Sequence, residues 1–343
     1  MNFCNEASHS DVVLTWGCTL TASRTGYALL ALLTLAAPPL HAQNYPTRPV
    51  TLVVPFPAGG SSDIIARTLS PRFGERLGTS IVIENLGGAG GVVGTARAVR
   101  ATPDGYTLLL GSGSEILNNK IINPKIGYDA LIDLAPIALL CTGPMVLVGH
   151  PSLPAATAAD LLRLARSRPG ALNYASAGNG TPMHIAGELI KMQGRISMLH
   201  VPYKGAPPAI ADLMGGQVHL AVVSLVSVLP QIKAGRLRAY GITTAAGSST
   251  APDIAPLART RELAGFDVGV WWGLFAPAKT PRAILDKVER DVIAAMSMEE
   301  LRARLEQQSI TPDIRPAAEL AKFMQAEAAR IRKVVEAAGI KAE

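Results

Sequence analysis

Two short stretches of this 343-residue sequence carry residue types that can hold an anion without a fixed cation. In the first, Pro57-Ala58-Gly59-Gly60 precedes Ser61, Ser62 and Asp63. The glycines open backbone angles closed to other residues, and the three polar side chains offer N-cap oxygens. Ile64, Ile65 and Leu69 then begin a helical apolar pattern. A helix that starts there directs unpaired N–H groups and the positive end of its dipole at whatever lies before it. In the second stretch, Gly178-Asn179-Gly180 precedes Thr181 as cap and Pro182 at the first helical position. His184 falls in that first turn, where the dipole favours a neutral imidazole. Either turn alone is equally an ordinary strand–helix connection, and His184 equally a packed or capping side chain. Further candidates for ligand contact are Ser112 and Ser114 in Gly111-Ser-Gly-Ser114, Ser176 at the end of the strand before Gly178, and Tyr203. Lys204, beside Gly205, reads as a solvated loop charge.

Other chemistries lack their spacings. Gly88-Ala-Gly90 misses the third glycine of a dinucleotide fingerprint by one position, and no GxxxxGK[ST] phosphate loop occurs. Beyond the first 42 residues the histidines are His150, His184, His200 and His219, none with HxxxH or HExxH spacing, and no GxSxG elbow exists. No cofactor and no metal site is expected. The formal net charge of +6 is scattered, without a basic run interleaved with aromatics, so nucleic acid is not an expected partner.

The elements that would position these residues alternate. Thr51–Phe56 reads as a buried strand before the first turn, and Ser80–Glu84 as another before the glycine turn Asn85–Gly91. Helix Val92–Ala101 and strand Tyr106–Leu110 follow. After Pro144 come strand Met145–His150, helix Thr157–Ser167, strand Asn173–Ala177 and the second glycine turn. Helix Ala206–Met214, strand Val218–Ser224, helix Leu225–Ala234 and strand Arg238–Thr243 continue the alternation. Ala245–Ala258 reads as a long loop. The chain then re-enters at Trp271-Trp272, where tryptophans read chiefly as core or hinge packing and one as a cleft wall. A helix to about Met296 and a final amphipathic helix, Ala317–Ala338, close the sequence. Strand–helix alternation argues for parallel sheets whose carboxyl ends carry the ligand site.

The composition, 48% hydrophobic and 17% charged, suits a compact fold with enough residues for two domains. The first 42 residues read as a secretory signal: Arg24, an apolar core from Tyr27, and Pro38-Pro-Leu-His-Ala42. Cleavage after Ala42 would leave Cys141 as the single cysteine, a core residue by its apolar neighbours.

Together these residues resemble the substrate-binding proteins of tripartite tricarboxylate transporters, the Bug or TctC-like family. The resemblance is carried by Pro46-Thr-Arg-Pro49, Val54-Pro-Phe-Pro-Ala-Gly-Gly60 with Asp63, Glu84-Asn-Leu-Gly-Gly-Ala-Gly-Gly91 and Pro103-Asp-Gly-Tyr-Thr107. It continues in Gly178-Asn-Gly-Thr181 with His184 and Glu188, Val201-Pro-Tyr-Lys-Gly205, Ile232-Lys-Ala-Gly235 and Trp272-Gly-Leu-Phe-Ala-Pro277. It implies an α/β, two-lobed type II periplasmic-binding-protein fold with the ligand cleft between lobes. One lobe would be 45–143 plus 267–343 and the other 144–266. The two glycine-turn helix starts, Pro57–Asp63 and Gly178–His184, would face each other across the cleft.

The resemblance also implies a function. The function implied is that of an extracytoplasmic receptor in the periplasm that would take a small organic carboxylate and pass it to membrane permease subunits. Backbone N–H groups, hydroxyls and bridging waters would hold the ligand. The chain departs from many relatives at His219 and near Val222-Val223, where an apolar far wall is expected if those residues face the cleft. A ligand sensor serving a signalling partner, or an extracytoplasmic hydrolase or isomerase, are the competing readings.

Overall fold

The chain's fold is organised by one strand that runs through two sheets. In the computed structural model, residues 45–341 are described, so the expected signal segment and its cleavage point lie outside them. Strand β1 (Val50–Val54) lies between β2 (Ile81–Asn85) and β3 (Thr107–Ser112), parallel to both. Its β-branched, almost wholly buried side chains suit a strand covered on both faces. Helix α1 (Ser61–Leu77) follows β1, and α2 (Val92–Val99) follows β2. A π-helical turn, Ser114–Asn118, follows β3 and runs into the short α3 (Asn119–Ile122) and α4 (Ala130–Asp133).

Strand β4 (Leu134–Gly149) is 16 residues long. The sequence pattern showed only its last part, as strand Met145–His150, because Pro136 and Pro144 interrupt the rest. Its first part pairs antiparallel with β9 (Gly269–Pro277), as far as Pro144 opposite Gly269. From Met145 onward it pairs with β7 (Leu220–Ser224) and β8 (Arg238–Ile242). Proline has no N–H to give to a ladder, and Pro144 stands where the chain changes partners. Thr243, fully buried, ties the return segment to the same point. Its N–H donates to the Met145 carbonyl at 2.9 Å, and its own carbonyl accepts from Val268 at 2.9 Å.

The second half repeats the first in kind. β5 (Leu172–Ser176) lies parallel to β6 (Met198–Pro202) and β7. Around these strands pack α5 (Ala158–Ser167), α6 (Pro182–Gly194), α7 (Ala206–Met214) and α8 (Leu225–Lys233). The spatial order is β2-β1-β3-β9-β4-β7-β5-β6. Helix α9 (Arg282–Met296) packs on α1, while α10 (Glu299–Gln307) and strand β10 (Thr311–Pro316, on β4) were not legible in the sequence pattern. The last helix, α11 (Ala317–Ala338), has the expected bounds. Cys141 is fully buried in β4, and burial raises its thiol far above the usual range, so it packs rather than reacts.

Candidate functional site

The β1–α1 and β5–α6 connections converge on one cavity, whose empty space is about 400 Å³ with the open solvent at its mouth included. Its floor is the start of α1, with Phe56, Pro57, Gly60, Ser61 and Ser62. Facing it are Ala177, Thr181, Pro182 and Met183 at the start of α6, and Ala206 and Pro207 at the start of α7. Ser112, at the carboxyl end of β3, and Val270 and Trp272, from β9, complete the wall. These groups lie at carboxyl ends of strands, where open α/β sheets bind ligands, or on β9 beside the strand that spans both sheets. No lining side chain is charged.

The α1 turn differs from its expected form. Its N-cap is Gly60, with no side-chain hydrogen bond, while Ser61 and Ser62 are the first two helical residues. A glycine cap leaves the first-turn N–H groups of α1 without a side-chain acceptor, a donor set for an anion. Asp63 does not cap forward. Its Oδ2 accepts from the Gly59 N–H at 2.9 Å and from Arg67 Nε at 2.9 Å. Burial opposes ionisation of Asp63, but hydrogen bonds from Arg67, Gly59 and Asn85 outweigh it and lower its pKa. The acid is thus spent on bracing the turn.

The cavity hydroxyls sort by where their protons go. Trp272 Nε1 donates to Ser62 Oγ at 3.0 Å, and Ser224 Oγ donates to Ser61 Oγ at 3.2 Å. Indole is only a donor, so Ser62 keeps its proton for the cavity, and Ser61 does so likewise. Thr181 Oγ1 donates to the Gly178 carbonyl at 2.7 Å and accepts from His184 N, so it caps α6. Ser112 Oγ donates to Glu115 Oε2 at 2.9 Å, and the Ser112 N–H donates to Oε1 of the same carboxylate. Glu115, the first-turn acid of the π-helical turn, is fully buried.

Of the sequence candidates, Pro57, Gly60, Ser61, Ser62, Ser112 and Thr181 come together at the cavity. The others lie elsewhere, for physical reasons. Ala58 and Gly59 are on the exposed outside of the turn. Ser114 is buried and donates to the Gly90 carbonyl at 2.7 Å. Ser176 Oγ sits 2.7 Å from His200 Nε2 and accepts from the Gly178 N–H. Asn179, Gly180 and His184 line a second hollow with α3 residues on the far side of the Gly178–Thr181 turn. His184 Nδ1 accepts from the Gly180 N–H at 3.2 Å, and its ring stacks on His200 with centroids 4.1 Å apart. An accepting Nδ1 carries no proton, as the helix position led one to expect. Burial pushes His200 down to about 3, helped by His184 and Lys191. Tyr203 donates to Asp212 at 2.6 Å.

The apolar far wall expected from Val222-Val223 is not there. Both are fully buried between β4 and β5, and His219 is bonded to Asn173. Phe56, Met183, Val270 and Trp272 supply the apolar surface instead. Of the adjacent tryptophans, Trp271 packs edge-on against Phe323 in the core, and Trp272 is the cavity wall. Ala206-Pro207 carried a sequence signal, since they open a third helix after a glycine turn. Glu115 carried none, because a glutamate before an apolar pair reads as a surface residue.

Residues 65–340 match the family described as the tripartite tricarboxylate transporter family receptor. The chain belongs to that family. BugT of Bordetella pertussis is 33% identical over 306 residues, covering 89% of this chain and 94% of that one. MatC from Rhodopseudomonas palustris, solved with bound malate, is 34% identical with a TM-score of 0.80, over 85% of this chain and 100% of that one. An R. palustris protein solved with adipate is 32% identical with a TM-score of 0.83, over 87% and 99%. The α/β two-lobed type II periplasmic-binding fold expected from the sequence is thereby shared.

Proposed function

We propose that this receptor binds a small organic carboxylate in the cavity between the α1 and α6 starts and delivers it, from the periplasm, to the membrane permease subunits of a tripartite transporter. One observation carries the reading: two helix starts from different halves of the sheet meet on a single cavity whose lining is neutral yet offers N–H and O–H protons. A carboxylate held by several preset donors is stabilised without a buried cation. The malate and adipate bound by two relatives support the same ligand class.

The lobes in this reading are 45–143 with 267–343 and 144–266, turning on Pro144 and on the Thr243–Val268 segment. The protein carries its ligand unchanged. Titration calorimetry against a panel of mono- and dicarboxylates, malate and adipate included, tests the assignment. Binding of at least one with a 1:1 stoichiometry is expected, and folded protein that binds none refutes it.

A further inference from the structure

The cavity has a titratable group directly behind it that carboxylate binding by helix starts does not use. Glu115 is fully buried, and its carboxylate grips Ser112 at two points, the N–H and the hydroxyl. The carboxyl abuts Gly91, where even a Cβ would stand 3.0 Å from Oε2. Among the described residues no cation pairs with it. Lys120 of α3 bonds the Pro124 carbonyl, and Asp129 and Asp133 serve backbone N–H groups of their own turn at α4. On α11, Glu327 pairs with Arg330. Tyr128 donates to the backbone carbonyl of Glu115, not to its carboxyl.

We propose that Glu115 is a positioning residue for ligand recognition, whose protonation state decides whether Ser112 offers the cavity a proton or a lone pair, so that, wherever Glu115 is ionised beforehand, a carboxylate ligand enters together with one proton. The proposal rests on the carboxylate reading of the cavity. With Glu115 ionised, the Ser112 hydroxyl must donate backwards to Oε2, 2.9 Å away, and its lone pairs face an incoming anion. When a solvent proton binds Oε2, as it does in neutral solution, the new O–H donates to Ser112 Oγ, and the serine proton is free to turn to the ligand. The Ser112 N–H stays on Oε1 in both states. Burial, opposed only by the Ser112 and Glu115 hydrogen bonds, pushes the carboxyl up to about 8, so the switch lies near neutrality. A bound anion on Ser112 raises it further, which is the coupling.

The test is calorimetry with malate and adipate in pairs of buffers of different ionisation enthalpy, which counts the protons taken up. Uptake near zero is expected at pH 6 and near one at pH 9, with Kd rising about tenfold between pH 7 and pH 9. Glu115→Gln, whose amide donates to Ser112 permanently, should bind as tightly as wild type at pH 7 and show no pH slope. Ser112→Ala should bind more weakly at pH 7, also without slope. No proton uptake by the wild type, or a slope retained in Glu115→Gln, overturns the proposal. Carbon-13 NMR of the ligand-free protein separates the two readings. If no carboxylate binds but a glutamate signal absent from Glu115→Gln titrates near 8, the carboxylate reading fails and takes the coupled uptake with it, leaving only the titration of Glu115. If carboxylates bind and no such signal exists, the switch fails alone.

Discussion

Replacing Gly90 by alanine should hold the two lobes apart. Gly90 sits at φ 61° in the turn before α2, and a Cβ there would lie 2.3 Å from the carbonyl oxygen of Asn179, which belongs to the β5–α6 connection. Ordinary contacts of a Cβ begin near 3.4 Å, so one backbone must retreat by about 1 Å from the other. The left-handed conformation alone costs an alanine roughly 1 kcal/mol, in either arrangement of the lobes. That part appears as a few degrees of lost Tm and leaves affinity alone. The clash exists only when the connections are together, and forced overpacking costs about 1–3 kcal/mol. Taking 2 kcal/mol, the affinity for whichever carboxylate the wild type binds should fall roughly 30-fold. Gly127→Ala, whose Cβ would meet nothing within 4 Å, is the control. Calorimetry gives the affinity, and small-angle scattering should show a larger radius of gyration for Gly90→Ala with ligand present. Wild-type affinity and unchanged scattering would refute the claim that these turns must touch in the ligand-bound form.

Three further outcomes follow from the same contacts. Glu115 is protonated up to about 8 when folded but only up to 4.5 when unfolded, so the native state loses stability as pH rises between those values. Glu115→Gln should therefore match wild type near pH 4 and exceed it at pH 9 in chemical denaturation, by at most roughly 5 kcal/mol. Asp63→Ala removes the acceptor of the Gly59 N–H and of a half-exposed arginine; it should cost about 1 kcal/mol and weaken ligand binding by loosening the turn, as urea unfolding and calorimetry would show. Trp272→Phe frees Ser62 from its indole donor. It should diminish the change in tryptophan emission on ligand binding and lower affinity several-fold, whereas an unchanged emission response would place Trp272 away from the ligand.

The two helix starts were legible because a strand, a glycine turn and a helical pattern are local signals, each contained within about a dozen residues. What lies between them was not. Phe56 reads as a strand end and Ala206-Pro207 as a third helix start, but that all three stand opposite the two turns is set by the sheet order. Val222-Val223 illustrates the converse. A buried apolar pair reads the same whether it walls a cleft or fills a sheet, and the antiparallel pairing with Val146 and Leu147 decides for the sheet. The length of β4 was hidden by its own prolines, although Pro144 marks the point where partners change.

His184, Asn179 and Ser176 share a motif with Thr181, yet only Thr181 lines the cavity. Thr181 caps its helix from the cavity side, whereas Ser176 and His184 bond within and behind the turn. The same distinction explains why the charged residues of the site stand one layer back. Asp63 braces the α1 turn and Glu115 grips Ser112, while the lining itself stays neutral. A cation in the lining would fix one charge opposite one carboxylate. Donors held by acids behind them can instead be reoriented by a proton, so affinity becomes adjustable without altering the shape of the cavity.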